Sequence, residues 1–452
     1  FPPSCIVVDG TLLTVLCMRI CHNVAQNKPS GGYTGTTAMG SNWMPADAEK
    51  QLRTRAAHDG ERLHFQFRWD QPDPGGWIHD MLVYHEGEWR QFATPSPWVS
   101  GDDEHTGFYE DRLSFFLDDG TVRGFEEFAG WLTAHEGMRS LPSAAAPDEV
   151  EAHPHYGERL EKSDIQKFLP QACAGEWWEG DWREVRPPGE LRAMKRRGEF
   201  LDLPMWRAHR SDPVGFGTDA YVLDYRHADD GRRTYTSQNW DAGSGPELMF
   251  DPDVVNGGAL DYHAVSNGEF PTQGSGTYAL TPDVTVPFDR NVAEWEGAMI
   301  PRRPLREPTG SAADWTASGT WTGEEWVVKM SRQLSTTDPS DTTQLTPGEV
   351  YLWAPAVHHG AGKRWHWTGY THRLGLGVTP ERRADLPPPL TAHKVDPAPT
   401  AAAVDWDALP THTTPLVFPG IQSWTDLVEG PNADAVRNLE TTMWALHGRA
   451  ED

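Results

Sequence analysis

Arg62-Leu-His-Phe-Gln-Phe-Arg-Trp69 decides the fold class. Leu63, Phe65, Phe67 and Trp69 alternate with polar neighbours, so they share one face of an extended chain. A period of two is the signature of a half-buried strand. The run follows the turn signal Asp59-Gly60 and stops before the breakers Pro72, Pro74, Gly75 and Gly76. Comparable runs recur at Met81–Tyr84, Arg112–Leu117, Ala220–Arg226, Trp326–Met330 and Val350–Trp353. Their aromatic and β-branched content, punctuated by Gly, Pro and Asp, predicts a mainly β protein: an antiparallel β-sandwich over about residues 43–380.

Working outward, a region of different character interrupts the strands at about 125–210. Asp148–His153, Asp164–Leu169 and Glu190–Arg197 read as short helices, and Ser163-Asp-Ile-Gln166 fits a capping box, so a helical insertion is expected. Residues 1–42 form a separate N-terminal segment whose stretch 23–40 is polar and Gly/Thr-rich, a linker composition. Residues 381–452 form a third unit. Its Pro/Ala-rich Leu386–Ala403 reads as a linker or extended arm, and Ser423–His447 as a C-terminal helix.

Composition narrows the class. The 452 residues carry a formal charge of −27, which repels nucleic acid and anionic membrane alike. Mean hydropathy is −0.61. The apolar run Cys5–Ile20 is broken by Asp9 and Arg19 and is too short to span a bilayer. A chain that begins at Phe1 without a basic leader reads as a processed product, so a periplasmic or extracellular location is expected. The 21 Trp and 19 His suit either a sugar-binding surface or a large flat cofactor.

Cys17-Met-Arg-Ile-Cys-His22 carries the chemistry. Two thiols followed by a histidine can attach a c-type haem: the cysteines add to the vinyl groups and the imidazole ligates the iron. Here three residues separate the cysteines instead of the common two. A zinc knuckle, or a disulfide beside an incidental histidine, uses the same residues. Cys5 and Cys173 remain as a candidate disulfide.

Several stretches in order resemble the haem-binding domain family of the ethylbenzene dehydrogenase gamma subunit, especially its larger c-type cytochrome members. They are Asp59–Trp69, Tyr109–Gly120, Phe200–Ser211, Asp338, Leu345–Trp353 and Lys363-Arg-Trp-His366 with the run to Gly377. The resemblance covers roughly residues 43–377 and implies a β-sandwich that binds haem and passes electrons. The larger relatives carry two further Cys-x-x-Cys-His motifs. This chain keeps the frames without the thiols: Trp131 and Ala134 precede His135, and Met443 and Leu446 precede His447. A haem at either place would hang on axial ligation and packing alone.

The expected cofactor is thus haem c on Cys17 and Cys21 with His22 as an axial ligand, and one or two further haems. His135, His447, His209 and His366 are the axial candidates. Met205, Met330 and Lys329 fall in the neighbourhoods where simple gamma subunits place Met and Lys ligands, although core filling suits Met205 better. His153-Pro-His155 and His358-His359 lack the third and fourth ligands of a metal site. The function expected is electron transfer by an extracytoplasmic multihaem cytochrome without substrate turnover of its own. Redox proteins or other cytochrome subunits would be its partners, and self-assembly is a further expectation. Two alternatives stand beside it: a haem-bearing subunit of a molybdenum oxidoreductase complex, and a non-redox Trp-rich carbohydrate-binding module with a structural zinc.

Overall fold

The computed structural model describes residues 49–71, 78–92, 110–139, 141, 143–236, 239–241, 245–266, 277–359, 366–418 and 423–450. The strands are β1 (Glu49–His58), β2 (Arg62–Asp70), β3 (Met81–His85), β4 (Glu88–Phe92) and β5 (Arg112–Asp118). Next come β6 (Leu201–Asp202), β7 (Met205–Arg207), β8 (Ala220–Val222), β9 (Arg226–Ala228) and β10 (Leu248–Phe250). Then follow β11 (Leu260–Asp261), β12 (Thr285–Pro287), β13 (Ala298–Pro301), β14 (Thr316–Trp321) and β15 (Glu325–Gln333). The last are β16 (Val350–His358), β17 (Trp367–Thr368), β18 (His372–Leu376), β19 (Leu390–Lys394) and β20 (His412–Val417).

The mainly β expectation holds, but the architecture is a barrel with extensions and not a plain sandwich. β1, β19, β18, β16, β17 and β20 pair in succession, and β20 returns to β1, so six strands form a closed ring. Two of its pairings, β1 with β19 and β18 with β19, are parallel. Closure removes the exposed edges that an open sheet must protect. From β1 the sheet extends through β2, β15 and β14, and from β16 through β5, β6, β8 and β9. A smaller sheet of β11, β13, β3 and β4 lies apart from this ring in the hydrogen-bonding pattern.

β2 buries its apolar face as the alternation requires, but it is not half-buried, because His64 and Gln66 on the other face are covered as well. Leu63, Phe65, Phe67 and Trp69 are fully buried. Phe65 and Phe67 stack on Trp353 of β16 at 6.1 and 6.2 Å, and Phe65 meets Phe115 of β5 edge-on at 5.4 Å. Tryptophan supplies much of this interior: Trp69, Trp206, Trp315, Trp326 and Trp353 are among the largest fully buried side chains. None of the described Trp residues is an exposed platform for sugar stacking.

The expected helical region contains short helices at Phe125–Phe128, Pro147–Glu151 and Pro188–Arg196, but it ends in β6 and β7. Asp164–Leu169 is not helical. Ile165 bridges to Met138, and Leu169 N donates to Leu223 O at 2.7 Å. Pro170 disfavours helix at the residue before it, and buried Ile165, Phe168 and Leu169 are anchored equally well by an extended chain. Leu386–Ala403, expected as a linker or arm, supplies the barrel strand β19. The C-terminal stretch breaks into three short helices, Trp424–Val428, Ala433–Arg437 and Met443–Leu446, separated at Gly430-Pro431 and at Leu439, whose φ is 58°.

Candidate functional site

β5 and β16 pair antiparallel, with Arg112 opposite His358, Ser114 opposite Ala356 and Phe116 opposite Ala354. Leu113, Phe115, Leu117, Trp353 and Val357 belong to the main aromatic core. Strand alternation therefore sends Arg112, Ser114, Phe116, Ala354, Ala356 and His358 to the opposite face. Small side chains at Ser114, Ala354 and Ala356 leave room there. A cavity of about 120 Å3 lies over this face, closed by Met138-Arg139, Gln166-Lys167, Leu203, Met205 and His366.

Four cationic side chains, Arg112, Arg139, Lys167 and Arg226, line the cavity, and its described lining contains no carboxylate. In a chain of charge −27 that is a local inversion of sign. Arg139 is paired outward with Asp164 at 2.8 Å. Lys167 Nζ donates to Thr133 Oγ1 at 3.1 Å and lies 5.9 Å from the Phe116 ring centre. Burial, reinforced by Arg226, brings the Lys167 ammonium down to about 8. His358 and His366 are buried and stacked, with ring centres 4.4 Å apart. Burial first, then Arg112 and His366, holds His358 well below the usual imidazole range, so it is neutral at pH 7. The arrangement suits an anionic molecule with an apolar body: guanidinium and ammonium groups meet its charge, while Phe116, Leu203 and Met205 pack against the rest.

The sequence-based candidates scatter around this cavity. Cys17, Cys21 and His22 lie outside the described residues. His366 lines the cavity. His209 is fully buried elsewhere: its ring Nε2 meets Tyr278 O at 3.2 Å and its amide donates to Glu110 at 3.0 Å. Glu110 also pairs with Arg210 and Arg207 at 2.5 and 3.4 Å. Burial lowers His209 to about 4. His135 is buried and stacks on Phe168 at 4.0 Å, and burial lowers it to about 3. His447 shares a 2.7 Å hydrogen bond with Tyr370 and sits edge-on to Trp131 at 5.7 Å, so the two thiol-free frames meet across Trp131. Met205 lines the cavity, whereas Met330 is in the aromatic core and Lys329, its neighbour on β15, belongs to neither. Cys173, the described thiol, is buried and pushed up by that burial, which makes it inert. Arg112, Lys167 and Arg226 were not singled out from the sequence. The one available signal was an arginine in phase with Ser114 and Phe116, on the face opposite the apolar alternation.

The family model described as ethylbenzene dehydrogenase matches residues 34–369, about three-quarters of the chain. No curated protein matches. The match is to the family as a whole and assigns no gamma-subunit role. The enzyme that names it is a multisubunit molybdenum oxidoreductase, which corrects the cofactor expectation: it points to molybdenum in place of haem c on Cys17 and Cys21 with further haems. The described residues do not fit a molybdenum centre of their own. No three His, Cys, Asp or Glu side chains among them are arranged to hold a metal, and the 120 Å3 cavity is well below the roughly 300–1,000 Å3 that an organic cofactor needs. Among the described residues no helix is long and apolar enough to cross a membrane. On the extent of the match, the chain belongs to the ethylbenzene dehydrogenase family.

Proposed function

We propose that the chain is an accessory subunit of a molybdenum oxidoreductase complex, acting outside the cytoplasm in electron transfer beside a separate subunit that holds the molybdenum. Family membership supports the complex, and the lack of a fitting metal set among the described residues supports the division of labour. The observation that carries a ligand role is the cavity between β5–β16 and the Met138–Lys167 region, with four cations and no described carboxylate. Arg112, Arg226 and Lys167 would neutralise the ligand's charge, and neutral His358 would accept a hydrogen bond from it.

Two measurements test this reading. Calorimetric titration of the full chain with benzenesulfonate, an apolar anion small enough for a cavity of about 120 Å3, should show saturable binding weakened about tenfold by Arg112→Gln, the loss expected from removing one charge-assisted contact. Absence of saturable binding, or equal binding by the variant, rejects the cavity. Metal analysis of the purified complex and of the separated chain should find molybdenum only with the partner. Molybdenum retained by the isolated chain rejects the division of labour.

A further inference from the structure

A second charge imbalance, of opposite sign, lies elsewhere among the described buried residues. Asp202 on β6, Asp219 just before β8, Asp229 just after β9, and Asp341 are 0, 4, 4 and 1% exposed. Half-buried Asp314 stands among them. Most of these carboxylates have donors. Asp202 accepts from Thr343 N at 3.1 Å, and Asp219 from Ala220 N at 3.1 Å. Asp341 accepts from Asp230 N at 3.1 Å and Ser311 Oγ at 2.9 Å, and Asp314 from Thr342 Oγ1 at 3.3 Å. Asp229 differs, because neither of its oxygens has a hydrogen-bond partner. Asp219 Oδ2 and Asp202 Oδ1 meet no N–H or hydroxyl donor, and these two carboxyls are hydrogen-bond neighbours of each other, a contact that needs a shared proton.

Two cations face the cluster. Arg332 on β15 donates to Thr343 O, and Lys195, from the helix Pro188–Arg196, lies over the Tyr221 ring at 4.4 Å. Asp338 and Tyr221 are further titratable neighbours, and His227 stacks on the Tyr221 ring at 5.0 Å. Burial is the main reason that Asp219 and Asp229 are pushed well above the usual carboxylate range, each reinforced by neighbouring carboxylates. Burial lifts Asp202 to about 6 against the pull of Arg332. Several buried carboxylates with so few cations cannot all stay ionised. No three acidic or histidine side chains here are arranged for a metal, so protons are what the geometry offers to balance the charge.

We propose that Asp202, Asp219, Asp229, Asp314 and Asp341 form a proton-held clasp joining the β6–β8–β9 edge to the turns at 311–314 and 338–343, and that it opens as pH rises. That edge carries Arg226, with Leu203 and Met205 beside it, into the wall of the cationic cavity. Opening the clasp therefore loosens one side of the cavity, although the clasp stands on its own residues whether or not the cavity holds a ligand. Below the ordinary carboxylate range, near pH 4, folded and unfolded chains are both protonated and the cluster carries no penalty. Above it the unfolded chain releases protons that the folded chain keeps, so stability falls as pH rises.

Hydrogen exchange of the full chain at pH 6.0 and 8.5, corrected for intrinsic rates, tests the clasp. Protection at residues 201–228 should drop about tenfold in the wild type and less than about twofold in Asp229→Asn. Asp219→Asn should behave like Asp229→Asn and replaces it if that variant does not fold. Unchanged protection in the wild type, or an equal drop in the variants, overturns the proposal. So does recovery of protection at pH 8.5 by 1 mM calcium, which would assign the cluster to a metal.

Discussion

Lys167 shows how one buried charge gives a measurable handle. Its ammonium, brought down to about 8, is charged at neutral pH and loses that charge as pH climbs past 8. Affinity for the sulfonate probe should therefore fall about fivefold between pH 7 and 9, and Lys167→Met should abolish the pH-dependent step. A wild-type affinity flat across that range would contradict the role. Tyr235 gives a second handle. Burial raises its phenol, but Arg210, Arg207 and Arg233 outweigh that and bring it down to about 7. Absorbance at 295 nm should show one tyrosine ionising near neutrality, and Tyr235→Phe should remove that titration. Neither residue was legible in the sequence. Hydrophobic periodicity marks which face of a strand is buried, but it does not reveal that the other face meets a second layer containing a lysine. His366 was one of the four axial candidates named from the sequence, but its stacking on His358 depends on tertiary packing that no local pattern encodes.

At the scale of elements, β2, β5 and β15 were readable because alternation in an aromatic strand is both local and strong. The segment 164–169 misled for the same reason: Ile165, Phe168 and Leu169 bury in either conformation, and tertiary pairing chose the extended one. Packing between elements also fixes some small residues. A Cβ on Gly319 of β14 would stand 2.4 Å from Cζ2 of Trp206, whose Nε1 donates to Asp212 at 2.7 Å. Burial lifts the Asp212 carboxyl to about 7 despite that bond and a second from Gly319 N at 2.5 Å, so a shift of the indole takes one of two donors from a buried acid. Gly319→Ala should cost about 1–3 kcal/mol, seen as a lower denaturant midpoint at unchanged slope. A neutral substitution would mean that Trp206 has an alternative seat.

For the whole molecule, composition and aromatic alternation gave the β class, but barrel closure was out of reach. The ring depends on residues far apart in the chain: Ala56 pairs with Ala392 and Lys50 with Leu416. A Pro/Ala-rich stretch that looks like a tether holds a stave because its five strand residues need only a parallel neighbour on each side. Truncation after residue 380 should therefore abolish the near-ultraviolet circular dichroism of the buried tryptophans, where loss of a mere arm would leave it intact. The same closure also sets a schedule for synthesis. The first stave leaves the ribosome near residue 58 and its last partner only at 417, an interval of about 20–70 s at ordinary elongation rates. Throughout that time β1 has an unpaired edge and the aromatic face of β2 lacks its full cover. A nascent chain of this design needs a holding chaperone or a slow-folding state, and its yield should depend more on expression temperature than its final stability would suggest.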